Sequence, residues 1–340
     1  MSSCPSSQIP WSRWHNRLHI KLKKNPNLLP KEAVLLLAIS GGQDSMALVQ
    51  LLIDLRRIYK WELIIWHGDH GWHDKSDVFA KSLENWCQGK GLRFFCDTTN
   101  KKRTRNEAEA RDWRYSCLVE RAITIFKEAH GNEWPFVVTG HTGSDKAETV
   151  LFNLSRGTDL AGLSSLNECR ILRENIKLIR PLLCFSRQET QQICKDLTLP
   201  ILLDPSNQSN KLSRNIIRHK IIPIMEELHP GCSLRIAALS ERLSKSKEER
   251  EVLQSLALKS LTIKGGICRE RLAKIPISTR VSLFIHYLNS IGGPSLSTKK
   301  VSELISQVEP QKRPGYRLIG QGWKITWSKN LIKIENENTK

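Results

Sequence analysis

The sequence predicts an α/β protein built on a doubly wound parallel sheet, followed by a helical domain and a small C-terminal β element. Three observations carry this expectation. Between Lys31 and about Asn210, strand-like and helix-like stretches alternate, as parallel strands joined by crossover helices must. Val34 to Ile39 is an unbroken apolar run, which suits a strand buried on both faces. Past Asp204 the alternation stops, long helical patterns take over, and three short strand-like segments close the chain.

Residues 1–30 carry five basic and no acidic side chains, the composition of a transit peptide. Their spacing argues for structure instead. Trp11, Trp14, Leu18 and Leu22 share one helical face, Arg13, Arg17, Lys21 and Lys24 lie on others, and Asn25-Pro26 ends the pattern. The segment reads as an amphipathic helix docked on the first domain, with a basic face that is either solvated surface or an RNA contact.

After Val34–Ile39 the chain turns through Ser40, Gly41, Gly42, Gln43, Asp44 and Ser45, and Met46–Tyr59 follows with helical spacing. Two residues without Cβ let the backbone come close to a ligand. The helix N-terminus behind them offers unpaired N–H groups and a positive dipole end, so a phosphate is the natural occupant. No Lys follows the glycines and no GxGxxG is present, which excludes the two commonest phosphate loops.

The alternation continues with Trp61–His67 (strand), Ser76–Lys90 (helix), Leu92–Asp97 (strand), Asn106–His130 (helix), Pro135–His141 (strand) and Ser144–Arg156 (helix). Polar clusters follow the second and fourth strands: His67-Gly68-Asp69-His70-Gly71 and Gly140-His141-Thr142-Gly143-Ser144-Asp145. Ligands of such sheets bind at these carboxyl ends. Ser186–Leu197, opened by a capping box of Ser186 and Glu189, adds a helix before Ile201-Leu202-Leu203.

From Pro205 to Met225 there is no acidic residue, and Lys211, Arg214, Arg218 and Lys220 recur at helical steps after a Ser213 cap. A basic helix face without partner acids, just past the sheet domain, is expected to contact a phosphate backbone. Pro223 ends or kinks that helix. Cys232–Leu258, Ser278–Asn289 and Ser297–Gln307 read as helices, and Tyr316–Ile319, Trp323–Trp327 and Leu331–Ile334 as strands. The expected domains are therefore 1–30, 31–210, 211–308 and 309–340.

Fifty-three Lys and Arg against 34 Asp and Glu give a net charge of +19, beyond what solubility needs and in keeping with a polyanionic partner. Nine cysteines form no CxxC pair and have no metal-ligand spacing with His, which suggests reduced thiols and a cytoplasmic setting. No apolar run is long enough to span a membrane. A homodimer is compatible with the sequence and not specified by it.

Strand, Ser-Gly-Gly-x-Asp-Ser, helix resembles the PP-loop of the ATP pyrophosphatase superfamily, the adenine nucleotide alpha hydrolase-like fold, whose members adenylylate a carbonyl oxygen and release pyrophosphate. The later blocks are similar in order and spacing to the tRNA(Ile)-lysidine synthetases. His67–Gly71 looks like that family's HVNHG, with Gly68 and Asp69 departing from Val and Asn. Asn106–Tyr115 is similar to N-x-E-x-x-A-R-x-x-R-Y. Thr139-Gly140-His141 through Asp145, Glu148, Thr149, Arg156 and Gly157 matches TGHxxxD-x-x-E-T…RG, with Ser144 where many members have Asp. Arg180-Pro181-Leu182-Leu183 and Asp204-Pro205-Ser206-Asn207…Arg214-Asn215-x-x-Arg218 complete the set.

The resemblance implies ATP-dependent joining of lysine to the anticodon wobble cytidine of AUA-reading tRNA(Ile), through an adenylylated cytidine. It implies that Ser40–Ser45 bind ATP and that Asp44 acts through Mg²⁺, since a bare carboxylate beside pyrophosphate would be repelled. Arg111 and Arg114 are expected to offset charge on the intermediate; with Glu107 they fall at i, i+4 and i+7, which also admits a plain surface ion pair. Asp145 and Glu148, one helical turn apart, are the expected partners of lysine, and helix capping is the alternative. A tRNA thiolase and a basic RNA-binding protein without catalysis are the competing functions; the thiolase is disfavoured by the missing CxxC.

Overall fold

A computed structural model describes residues 11–71, 76–99, 107–129, 134–201 and 213–337. Two compact units divide the chain, Met1–Ser244 and Lys245–Lys340.

The first unit opens with α1 (Arg13–Lys24), capped by Ser12. Trp14, Leu18 and Leu22 are buried as the spacing requires, while Trp11 precedes the helix and stays exposed. Its basic side is partly committed within the unit, because Lys21 pairs with Glu168 and Arg17 with Glu189. Lys21, at 13% exposure, is therefore not plain solvated surface.

The sheet follows as β1 (Val34–Ala38), α2 (Gln43–Tyr59), β2 (Glu62–Asp69), α3 (Ser76–Gly89), β3 (Arg93–Thr98), α4 (Glu107–Glu128), β4 (Phe136–Thr139) and α5 (Gly143–Ser155). After the short α6 (Leu160–Leu163) comes a hairpin, β5 (Cys169–Arg173) and β6 (Ile176–Ile179), and then α7 (Arg187–Asp196). Strand order is β3-β2-β1-β4-β6-β5, parallel throughout except for β5. Sequence periodicity misses the hairpin, because β5 is an exposed antiparallel edge without an apolar run.

Successive β1 residues serve opposite faces. Leu35 and Leu37 join one core with Leu51, Leu63 and Ile65, whereas Val34 and Leu36 join another with Ile64, Leu118 and Val137. Both faces are covered, which is why the run shows no polar alternation.

Past the sheet lie α8 (Ser213–Ile216), a π-helical turn (Ile217–Ile221) and α9 (Ile222–Leu228). Pro223 sits in the first turn of α9, and its missing N–H falls where the widened turn changes the hydrogen-bond register. Ile217 and Ile222 are buried with Ala147 of α5, so these helices belong to the sheet unit. The division thus falls at Ser244, inside α10 (Cys232–Leu261), and not at residue 210.

The second unit contains β7 (Thr262–Ile263), β8 (Gly266–Cys268), α11 (Arg269–Ala273), α12 (Ile277–Ser290), α13 (Thr298–Gln307), β9 (Gly315–Gly320), β10 (Trp323–Trp327) and β11 (Leu331–Asn336), and all of these but β7 supply residues to one core. The sheet order β7-β8-β11-β10-β9 joins the last three strands to the hairpin at 262–268, so residues 309–340 are not a separate element. Arg269, 1% exposed, fastens the unit by donating to the carbonyls of Val308, Glu309, Lys312 and Ser328. Among the described residues, no helix is long and apolar enough to cross a membrane.

Candidate active site

The chain runs from β1 outward to β2 and β3, then returns to β4 on the other side of β1. Between β1 and β4 lies the topological switch point, where the carboxyl ends of such sheets hold their ligands. The loops after these two strands touch. A Cβ on Gly140 would lie 3.0 Å from the backbone of Asp44 and Ser45, so only glycine lets them approach this closely.

In the first loop Gly41 has φ +78°, the left-handed region glycine favours, and Gly42 caps α2 without any side-chain bond. The amides of the first turn of α2 are therefore left to a ligand. Ser45 Oγ donates to the Gly42 carbonyl at 2.8 Å, bracing the turn, and lies 3.4 Å from Ser40 Oγ. Gln43 turns its side chain away, donating to the Arg187 carbonyl at 2.8 Å and to Thr190 Oγ1 at 3.2 Å. The Gln43 side chain is thus engaged with α7 and not turned into the loop.

Asp44 accepts a hydrogen bond from Thr190 Oγ1, and Arg187 stands 3.4 Å from its other oxygen. Burial pushes the Asp44 carboxyl above its ordinary value, and the nearby charge of Asp145 pushes the same way, against the pull of Arg187 and Thr190. Thr190 and Arg187 escape a reading of the sequence; the capping box at Ser186 marks the start of their helix but not what that helix faces. Ser144, where relatives of the motif carry Asp, accepts from the Arg187 amide at 3.0 Å and so ties α5 to α7.

Asp145 and Glu148 come together as expected, at 8% and 1% exposure in the first turns of α5. One Asp145 oxygen completes a capping box, accepting from the Thr142 amide at 2.8 Å and hydroxyl at 2.9 Å. The signal for this was legible as Thr142-x-x-Asp145. Its other oxygen accepts from Arg218 at 3.0 Å, and Arg218 also grips Glu148 through two bonds of 2.7 and 2.8 Å. Arg214 stands 3.5 Å from Glu148 and donates to Thr149 Oγ1 at 3.1 Å.

The expectation that the basic face lacks partner acids therefore fails for Arg214 and Arg218. Their acids come from α5, 66 to 73 positions earlier in the chain, beyond the reach of any local pattern. Lys220 is exposed, and Lys211 lies outside the described residues.

Burial pushes the Asp145 carboxyl up, but Arg218 and the Thr142 donors hold it below its ordinary value. His141 is kept neutral, mainly by burial and further by Arg180, Arg214 and Arg111. Arg111 lies over the Tyr115 ring at 5.5 Å and hydrogen-bonds Tyr115 together with the buried Arg180. Arg114 folds back onto its own helix, toward the Ala110 carbonyl at 3.4 Å. Arg180 thus joins Arg111 at the Tyr115 hydroxyl.

Behind the second strand, His67 bonds the Ile39 carbonyl at 2.8 Å through Nδ1 and ties β2 to β1. The two departures in this block have physical compensations. A Cβ on Gly68 would meet Trp66 at 2.5 Å and Trp113 at 3.1 Å, because these indoles fill the space a larger residue would take. Asp69 keeps the turn-forming acceptor that Asn would supply, taking the Gly71 amide at 2.8 Å.

No group of three or more metal-ligating side chains occurs among the described residues. What the site offers a cation is Asp44, a hard oxygen ligand repelled by Asp145. That suits Mg²⁺, which is held by one or two carboxylates together with substrate phosphates and water.

A PP-loop domain family matches residues 15–225. Across the whole chain the sequence is similar to the tRNA(Ile)-lysidine synthase of Prochlorococcus marinus, at 45% identity over 99% of this chain and 100% of that protein. The synthase of Parasynechococcus marenigrum is 44% identical over 96% of each. A chloroplastic one from Pyropia yezoensis is 36% identical over 72% of each. Among solved structures, the U34-tRNA thiolase NcsA from Methanococcus maripaludis superposes with TM-score 0.53 at 21% identity, covering 68% of this chain and 79% of that one. At that identity the likeness is one of fold.

Proposed function

The chain belongs to the tRNA(Ile)-lysidine synthase family, and on that premise we propose how its residues divide the work. The enzyme is an ATP-dependent ligase that joins lysine to the wobble cytidine of the CAU anticodon of tRNA(Ile). The cytidine O2 attacks the α-phosphate of ATP and pyrophosphate leaves; the lysine ε-amine then attacks C2, and the C2–O2 bond breaks to release AMP. Activation is required because an amide-like carbonyl oxygen is a poor leaving group. The thiolase and non-catalytic readings fall to the family membership.

Ser40, Gly41, Gly42, Gln43 and Ser45 receive the triphosphate at the N-terminus of α2, whose amides no side chain caps. Asp44 would hold Mg²⁺, which supplies charge neutralisation between the phosphates when bound. Arg111, with Arg114 one turn further on, offsets charge on the adenylylated cytidine, and planar guanidinium donors match phosphate oxygens. Asp145 and Glu148 bind lysine through an ammonium group. The observation that supports this division is geometric: the loops after β1 and β4 meet at the switch point, so that Asp44 on α2 and Asp145 on α5 open the two helices that face it.

Mass analysis of tRNA(Ile) nucleosides after incubation with ATP and lysine tests the reaction. Lysidine is expected only when all three components are present, with pyrophosphate release dependent on tRNA. A thiolated nucleoside, or tRNA binding without ATP consumption, would overturn it.

Among the described residues of the basic face Lys220 is exposed and, with Lys211, is the proposed contact to the RNA backbone. Lys220→Ala should lower the slope of log affinity against log salt by about 0.7 to 0.9, equally for cognate and non-cognate tRNA. An unchanged slope would make Lys220 plain solvated surface.

A further inference from the structure

We propose that Arg111 and Arg170, which share the Tyr115 ring, bind a backbone phosphate of the RNA substrate, with the buried Arg180 adding its charge from within. The phosphate belongs to a nucleotide next to the reacting cytidine. This rests on the reading that the site takes the wobble cytidine, and extends it to the strand on which that base is carried.

Arg170 belongs to β5, the edge strand that periodicity misses, and to none of the sequence motifs. Its cross-strand partner is Leu178, which is buried in the same core as Leu118 of α4. Directly opposed residues share a face of the sheet, so Arg170 leaves β5 on the α4 side. There its guanidinium lies 5.6 Å from the centre of the Tyr115 ring, and that of Arg111 lies 5.5 Å from it. Both arginines are exposed, whereas the ring is half-buried. Two separate elements thus hold guanidinium groups at one aromatic platform.

Positive charge is what this cluster has in excess. Arg180, 2% exposed, donates through one terminal nitrogen to the Asn167 carbonyl at 2.6 Å, and its Nε is buried without a hydrogen-bond partner among the described residues. Burial, with the repulsion of Arg111 and Arg170, holds Arg180 below its ordinary value against the pull of Tyr115. Burial pushes the Tyr115 hydroxyl up, yet Arg111 and Arg180 bring it below its ordinary value. Among the described residues, no carboxylate forms an ion pair with any of the three arginines. Charges gathered in this way repel one another until an anion enters, and guanidinium donors match phosphate oxygens.

Position separates this phosphate from those of ATP. Strand order places β5 beyond β6, two strands from β4 and on the side away from β1. At about 4.8 Å per strand, Arg170 stands roughly 10 Å past β4, while the triphosphate is held at the end of β1. Arg111 and Arg180 still act on His141, in the loop after β4, so the cluster borders the site. A chain of nucleotides spans both positions.

The test measures the affinity of the full chain for tRNA(Ile) as a function of salt, with binding alone as the readout. Arg170→Gln should weaken binding by about tenfold, the loss of one charge-assisted contact. It should also lower the slope of log affinity against log salt by about 0.7 to 0.9. Arg173→Gln removes the same charge from the same exposed strand and should leave affinity and slope at their wild-type values. An unchanged slope in Arg170→Gln, or an equal change in both variants, would reduce Arg170 to diffuse surface charge and overturn the assignment. So would a higher ATP requirement in Arg170→Gln with unchanged RNA affinity, which would give the phosphate to the nucleotide instead. If the expected slopes are found but the wild type forms no lysidine, the reaction assigned above fails and the phosphate contact stands.

Discussion

Asp44→Asn is expected to abolish pyrophosphate release, by about a thousandfold or more if Mg²⁺ is the chief stabiliser of the departing charge, while tRNA binding stays nearly intact. Asn preserves the shape and can still accept the Thr190 hydroxyl, so the loss isolates the charge. A stability effect of opposite sign should accompany it. The folded-state pKa of Asp44 is raised, so the ligand-free protein loses stability as pH rises past the ordinary value of 3.8 and through the raised one. Removing the ionisable group removes that loss. Without nucleotide at neutral pH, Asp44→Asn should therefore melt above the wild type, the usual direction when an active-site charge is deleted. Normal turnover in the variant would reassign Asp44 to the α2–α7 contact.

The largest expected cost to folding is at Glu148. Its carboxylate is 1% exposed and accepts two bonds from Arg218, so Glu148→Ala leaves a guanidinium at 19% exposure without its main counter-charge. Breaking a buried pair from one side costs about 3 to 5 kcal/mol. In a unit of this size the lower figure corresponds to roughly 6 to 12 °C in Tm. Asp145 contributes with a definite pH dependence. Its folded-state pKa is depressed, so its contribution is present above the ordinary carboxylate value and is lost as pH falls through the depressed one. The gap in stability between wild type and Asp145→Asn should accordingly close in acid. Thermal melts from pH 7 down to about pH 3 measure both effects. A Glu148→Ala protein as stable as the wild type would mean that Arg218 finds another partner or turns to solvent.

Much of the first unit is determined locally and could be read before any coordinates. Val34–Ile39 is apolar at every position because both sheet faces are covered, and Ser40–Ser45 signals its turn through Gly41, whose φ of +78° glycine favours. Ser186 and Glu189 cap α7 as their spacing demands, and even Asp145's capping role is written in Thr142-x-x-Asp145. Periodicity, capping and glycine conformation act over a few residues, so a sequence displays them directly.

What only the tertiary structure decided is which distant groups meet. Arg214 and Arg218 look like an unpaired basic stripe until α8 and the π-helical turn pack on α5 and deliver them to Glu148 and Asp145. Thr190 and Arg187 become neighbours of Asp44 because α7 lies along α2. The closing strands join β8 into one sheet because only the shared core with α12 and α13 covers their apolar face. In each case the determinant is a charge or an apolar surface that must find its complement. Such forces act through space, and the chain separation between partners leaves no periodic trace in the sequence.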